Sequence, residues 1–328
     1  MAEGSARVGE APELGARVSG AQRAIEELRF VVVGAYVADC FVNTPRLPVW
    51  GETYQARSIR TSPGGKALNQ AVALARLGAR VAAVGAVGDD GLGRDILAAL
   101  RRERVEVGGV QVRPKVASAI CVCFVGDDGE TSFVWRVGDD VAVTPETVRA
   151  AAGAVERADA VLVTFELSAE SVRETIDVAS RCGTRVFVQP APPLDDPAGA
   201  ASLPWDRVDA LVPNEAEARA LLEARGVGRD LVPDGLAEAL SRELLIPNVV
   251  VTLEELGCVV HADGATRRYP VEKTVLVDST GASDAFMATL AAHLTAGASE
   301  DEAIHAAQSA ATWAIRQPGG HESMPSGR

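Results

Sequence analysis

Phe30-Val31-Val32-Val33-Gly34 is a short apolar run closed by a glycine. Hydrophobic side chains on both faces of an extended segment are the pattern of a strand in a parallel sheet covered on either side by helices. Working outward, strand-like and helix-like stretches alternate. Ala67–Leu77 has helical periodicity and stops at Gly78, Arg80–Val87 is strand-like, and Gly93–Arg104 is helical. Ala158–Thr164, Thr184–Gln189, Ala210–Val212 and Asn248–Leu253 read as further strands. The last helices run from about Ala282 to Ala296 and from about Glu300 to Ile315. Repeated β-α units predict an α/β fold of three layers, a mainly parallel sheet flanked by helices.

Two segments break this rhythm. Residues 42–61 carry Pro45, Pro48, Gly51 and an extended run from Glu52 to Ile59. Residues 112–137 are strand-rich, with a hairpin cue at Asp127-Asp128-Gly129. No helix separates the strands of that hairpin, so they cannot enter the parallel sheet by a right-handed crossover. Together the segments are expected to form a small antiparallel appendage, serving as a lid, a dimerisation surface or both. Residues 1–29, rich in Ala, Gly, Glu and Arg, read as a flexible extension before one domain spanning 30–328.

Composition bounds the function. The 328 residues hold 32 Lys and Arg against 45 Asp and Glu, a net charge of −13. That balance argues against a nucleic-acid or anionic-membrane partner, while leaving room for a local nest of backbone N–H groups to bind phosphate. Hydrophobic content of 47% with 23% charged residues describes a folded globular chain. No run approaches the ~18 apolar residues of a membrane span, and the first 29 residues lack the apolar stretch of a signal peptide. Five cysteines, mostly in apolar runs, and four histidines, none at metal-ligand spacing with a Cys, argue against a zinc site and fit a reducing, cytoplasmic setting. Cys121 and Cys123 alternate along one run and share a strand face as buried thiols.

Four strand-to-helix junctions carry candidate chemistry. In Asp278-Ser279-Thr280-Gly281-Ala282-Ser283-Asp284, small residues precede a helix whose first-turn N–H groups have no intrahelical acceptor. With the helix dipole these amides suit a phosphoryl group in transfer, and Asp284 in the same turn suits a proton acceptor. An ordinary N-terminal capping Asp explains the residue equally well. At Gly64-Gly65-Lys66-Ala67-Leu68-Asn69, the glycines admit a ligand close to the backbone and Lys66 and Asn69 share one helix face. A solvated helix start is the bland alternative. Asp39 follows the first strand, where crevice-lining residues of open α/β sheets lie. Asn214 and Glu217, again just past a strand, either approach a hydrated Mg²⁺ and phosphates or form a capping box.

In order and spacing these motifs resemble the ribokinase-like sugar kinases, the PfkB carbohydrate kinase family, from Arg29 to Pro325. Gly64–Ala71 looks like that family's N-terminal signature and Asp278–Asp284 like its C-terminal one. The resemblance implies a ribokinase-like fold with a small β lid, and ATP-dependent phosphorylation of a sugar hydroxyl, ribose being the first candidate. It implies Asp284 as base with an anion hole at Gly281, Ala282, Ser283 and Asp284. Asp39, Gly65, Lys66, Asn69 and Glu166 would meet the sugar, and Asn214 and Glu217 the Mg²⁺ and phosphates. Thr252, Gly257 and Gln308 would contact ATP. Asp278, Thr280, Ala314, Gln317, Gly319 and Ser323 would form a monovalent-cation loop for K⁺. A homodimer through the lid is part of the same expectation.

The chain departs from the family pattern at Ser283 and Glu254, where Gly is usual, at Gln308, where Asn is usual, and at Leu68, where the strict ribokinase signature has a smaller residue. Ser283 and Glu254 motivate one alternative, a sugar-binding protein with impaired nucleotide use. Tyr54, Phe133 and Trp135 motivate another, a nucleoside kinase. Gly85-Ala86-Val87-Gly88 and Gly91-Leu92-Gly93 do not follow the first strand with dinucleotide spacing, which disfavours a dehydrogenase.

Overall fold

The computed structural model describes residues 25–228 and 230–326. The chain begins with β1 (Arg29–Val33), β2 (Val37–Asn43), β3 (Ser58–Gly64), α1 (Lys66–Arg76), β4 (Arg80–Gly88), α2 (Gly91–Arg102), β5 (Glu106–Arg113), β6 (Ala119–Val125) and β7 (Thr131–Arg136). Then come α3 (Pro145–Ala150), α4 (Ala152–Glu156), β8 (Ala160–Thr164), α5 (Ala169–Cys182), β9 (Arg185–Gln189), α6 (Pro197–Ala201), β10 (Ala210–Leu211), α7 (Glu215–Ala224) and α8 (Pro233–Leu244). The final part holds β11 (Asn248–Thr252), β12 (Cys258–Ala262), β13 (Ala265–Tyr269), α9 (Ala282–Thr295) and α10 (Glu300–Ala314).

One sheet has the order β13-β12-β11-β10-β9-β8-β1-β4-β5. Its strands from β11 to β5 pair in parallel, and β12 and β13 join antiparallel. Alternation along β1 shows how the layers arise. Phe30 and Val32 pack into a core shared with α1, α2, α9 and α10, whereas Val31 and Val33 pack into a second core shared with α5, α7 and α8. The apolar run that opens the fold is therefore buried on both faces, as expected. Each such side chain, removed from water, stabilises the fold by about 1.5–3 kcal/mol.

Several helices are bounded by local chemistry. Ser168 accepts the Ser171 amide at the start of α5, and Gly183 ends it with φ 72°. A Ser299–Glu302 capping box opens α10. The last strand pair follows from Asp263 and Gly264, whose φ values of 51° and 72° make the tight two-residue hairpin between β12 and β13.

A second sheet, ordered β3-β2-β6-β7, is the small appendage, and it is mixed where an antiparallel one was expected: its two hairpin pairs are antiparallel, but β2 and β6, joined through the long excursion of β3 to β5, run parallel. The expected turn is present: Gly126 donates to the Glu130 carbonyl at 2.8 Å, and Gly129 is left-handed. The boundaries differ from the expected 42–61 and 112–137. Its strands are β2, β3, β6 and β7, residues 52–57 form no strand, and Val112 and Arg113 end β5 of the large sheet. Asp39 accordingly lies within β2, paired with Ser62 and Cys121, and not on a loop beyond the first strand. Packing also begins earlier than Phe30, because Ile25 is buried and Leu28 lies against the same core. The rest of the expected extension, residues 1–24, lies outside the described residues. Among the described residues no helix is long and apolar enough to cross a membrane.

Candidate active site

Helix α9 is buried on all sides from Asp284 to His293, wedged against α1, α10 and the large sheet. Its first turn is thereby fixed. Gly281, at the N-cap, takes φ 82°, and no side chain caps the helix. The positive φ falls on Gly281, and Ser283 is not among the left-handed residues. Ser283 is exposed, so its Cβ and hydroxyl occupy open space at the helix mouth. The N-terminus retains the uncapped amides and dipole that an anion hole needs.

Asp284 is 2% exposed, and its Oδ2 accepts from Asn69 Nδ2 at 2.8 Å. Its Oδ1 is buried without a partner among the described residues, as are Asn69 Oδ1 and Gln70 Oε1. Burial pushes the Asp284 carboxyl above the usual carboxylate range, with Lys66 and the amides of Asn69 and Gln70 opposing the shift. Buried polar atoms ordinarily find partners. Here two unpaired amide oxygens accompany a carboxylate oxygen that is itself unpaired.

The Gly-Gly step explains how Asp39 joins them. A Cβ on Gly64 would lie 1.9 Å from Asp39 Oδ2, and Gly65 has φ 91° with the Ala35 carbonyl 2.8 Å from where its Cβ would be. Only glycines allow β2 and the start of α1 to close around that carboxylate. Gly320 completes the wall: a Cβ there would be 3.1 Å from Asn69 Oδ1 and 3.4 Å from Asp39 Oδ2. Burial pushes the Asp39 carboxyl up to about 7. Glu166 stands beside the same helix start, its carboxylate 3.5 Å from the Lys66 amide, and burial raises it to about 8. Burial works against the Lys66 ammonium, but Asp284, Glu166 and Glu217 around it leave its pKa above the ordinary lysine value. Asp39, Gly65, Lys66, Asn69, Glu166 and Asp284 thus form one cluster.

Asn214 and Glu217 are brought together as a capping box at α7. Glu217 accepts from the Asn214 amide at 2.8 Å, and Asn214 Oδ1 accepts from the Glu217 amide at 2.8 Å. Burial raises the Glu217 carboxyl, with Lys66 opposing. Thr252 adjoins them, its amide donating to the Pro213 carbonyl at 2.9 Å. Gly257 and Gln308 meet around the end of β13: a Cβ on Gly257 would lie 2.0 Å from the Tyr269 carbonyl, and Gln308 Nε2 donates to that carbonyl at 2.9 Å. Glu254 keeps the left-handed conformation of a glycine, with φ 49° and an exposed side chain. That conformation costs a non-glycine residue about 1–2 kcal/mol.

The C-terminal loop folds onto the segment before α9. Asp278 Oδ1 accepts the Thr280 amide at 2.9 Å and Oδ2 accepts the Gly319 amide at 2.8 Å. The Ala314 carbonyl accepts from Gln317 at 3.0 Å, and Ser323 Oγ donates to the Gly320 carbonyl at 2.7 Å. Thr280 Oγ1 is buried without a partner among the described residues. The Asp278 carboxylate, the Ala314 carbonyl and the Thr280 and Ser323 hydroxyls supply oxygens, the donor type a hard cation takes. Sequence reading did not assign Gln70, which is fully buried near Asp284 and whose side-chain amide donates to Gln189 Oε1. Its signal was its place beside Asn69 in the glycine-led motif.

Residues 28–327 match the profile described as pfkB family carbohydrate kinase. This chain belongs to that family. Among its relatives, the ribokinase of Mus musculus is 30% identical over 271 residues, covering 82% of each protein. The deoxyribokinase of Salmonella typhi is 26% identical over 303 residues, 90% of this chain and 95% of the relative. The structure of Arabidopsis thaliana ribokinase complexed with ribose and ATP superposes with a TM-score of 0.76 at 26% identity, covering 92% of this chain and 96% of the other. The ribokinase-like architecture expected from the motifs is therefore the fold of this PfkB kinase.

Proposed function

We propose that this carbohydrate kinase transfers the γ-phosphoryl group of ATP to a hydroxyl of a ribose-like sugar, with Asp284 as the base. The observation that carries the assignment is the buried, unpaired Asp284 Oδ1 beside an uncapped helix N-terminus. The names of the ribokinase and deoxyribokinase relatives point to a pentose.

In the proposed step, Asn69 holds Asp284 Oδ2, leaving Oδ1 to accept the proton of the sugar hydroxyl. The hydroxyl oxygen attacks the γ-phosphorus, and ADP leaves carrying the electron pair of the broken P–O bond. The amides of residues 281–284 face the transferring group, and Lys66, flanked by Asp284 and Glu217, sits between sugar and phosphate. Positioning and charge neutralisation supply most of the acceleration, since a loose phosphoryl-transfer transition state asks little of a base. Asp39, Gly65, Asn69 and Glu166 hold the other sugar hydroxyls; Thr252, Gly257 and Gln308 contact the nucleotide. Asn214 and Glu217 fit a hydrated Mg²⁺ approached through water, which neutralises phosphate charge when bound. The oxygen-lined loop of Asp278, Thr280, Ala314, Gln317, Gly319 and Ser323 fits K⁺. The small sheet acts as a lid and as the face of a homodimer, and the enzyme works in the cytoplasm.

ADP release measured across ribose, deoxyribose, other pentoses, hexoses and nucleosides, with and without K⁺, tests this reading. Ribose or deoxyribose is expected to give the highest kcat/KM, with stimulation by K⁺. Turnover of nucleosides alone would shift the assignment to a nucleoside kinase, a reading that the exposed Phe133 and Trp135 of β7 favour. ADP release with no sugar or nucleoside would refute both.

A further inference from the structure

Strands β2 and β6 pair in parallel with Asp39 opposite Cys121 and Phe41 opposite Cys123. The pleat therefore places Asp39, Cys121 and Cys123 on one face of the small sheet. The two sulfurs are 3.8 Å apart, and one ligand atom from each of the three residues lies within 4.8 Å of the others. All five cysteines are free. A tetrahedral ion with Zn–S bonds of ~2.3 Å spans two thiolates across an edge of about 3.8 Å, the separation found here. Two thiols and one carboxylate are also the set that selects a soft or borderline cation over Mg²⁺.

We propose that Cys121, Cys123 and Asp39 form a binding site for a thiophilic divalent cation of the Zn²⁺ type, and that its occupancy excludes the sugar. Three protein ligands leave a fourth position for water. An ion between the sulfurs binds them as thiolates, and each coordinated thiol releases its proton to solvent. The ion takes the Asp39 carboxylate that faces Asn69 and Gly320 across the pocket, so metal and sugar compete for one group. Binding itself follows from the strand geometry; only the competition rests on the proposed sugar site.

The test uses the full-length reduced protein in a reductant that does not chelate metals. Co²⁺ titration is expected to give a thiolate-to-cobalt charge-transfer band and the intense visible bands of a tetrahedral site, both displaced by one equivalent of Zn²⁺. The Cys121→Ser/Cys123→Ser double variant is expected to lose the bands, to bind Zn²⁺ at least 100-fold more weakly by calorimetry, and to keep its ADP-release rate. Cys121→Ala, at the more exposed of the two positions, gives the same readout should the double variant fold poorly. Saturating ribose is expected to weaken Zn²⁺ binding by at least tenfold. Absence of the thiolate band in the wild-type protein, or equal Zn²⁺ uptake by the variants, overturns the site. A band and a Zn²⁺ affinity that ribose leaves unchanged overturn the competition and remove Asp39 from the sugar site.

Discussion

At the scale of single residues, Asp284 is held by one bond and left open at its other oxygen. Replacing it by Asn keeps the shape and the contact to Asn69 but removes the proposed proton acceptor. General-base catalysis is worth roughly 10²–10⁴ in rate. Asp284→Asn is expected to lower kcat within that range while ribose affinity by calorimetry stays within a few-fold. Wild-type turnover in this variant would refute the assignment. Two neighbouring carboxyls set a pH dependence. Burial raises Asp39 to about 7 and Glu166 to about 8, against ordinary values near 4. The folded protein therefore holds more protons than the unfolded chain between about pH 4 and pH 8, so stability falls as pH rises through that window. The Tm of the ligand-free protein should drop across it, and Glu166→Gln should raise Tm at pH 8 and flatten the decline; an unchanged slope in the variant would place the effect elsewhere. Lys66, Asn69 and Asp284 were legible because helix-start spacing is local. The 2.8 Å contact between Asn69 and Asp284 joins residues 215 positions apart, and no local pattern encodes it.

At the scale of elements, Asn214 and Glu217 serve two masters, a cap for α7 and a proposed approach to Mg²⁺ and phosphate. A single substitution separates them. Ser caps a helix about as well as Asn. Asn214→Ser is expected to leave Tm within a few degrees while raising KM for MgATP several-fold, through loss of the side-chain amide near the phosphates. A fall in Tm with KM unchanged would make the pair a cap alone. The start of α1 is more tightly constrained. Gly65→Ala forces a side chain into φ 91° and onto the Ala35 carbonyl. Such strain costs about 1–3 kcal/mol, so differential scanning calorimetry should show a Tm loss of several degrees. Most helices and parallel strands were readable from periodicity. The β12–β13 hairpin was not read, although Asp263-Gly264 between β-branched and polar alternation carries its turn signal. The strands of the small sheet were misplaced because residues 52–57 look extended in sequence, but only the Arg57 amide reaches β2, at the Asn43 carbonyl, and no ladder forms before Ser58.

At the scale of the molecule, the alternation of β and α segments was enough to give three layers, but the place of β1 between β8 and β4 is set by long-range pairing. The small sheet raises the remaining question of what covers it. Cross-strand neighbours share a face, which puts Ile59 beside Val42, and Val122 between Val134 and Cys40, on the side opposite Asp39. Ile59 and Val134 are 67% and 64% exposed, and Ile120 on the same side is 38% exposed. Contiguous apolar surface of this kind marks an interaction site. With a second copy as the proposed partner, wild-type protein should sediment as a dimer at micromolar concentration, and Ile59→Asp/Val134→Asp should sediment as a monomer with an unchanged Tm for the large core. Because β2 carries Asp39 on its other face, losing the partner should loosen the sheet and raise KM for the sugar, leaving the proposed nucleotide contacts at Thr252 and Gly257 alone. A monomeric wild-type protein would return the face to the lid function only, and KM effects confined to ATP would separate the sheet from the sugar altogether.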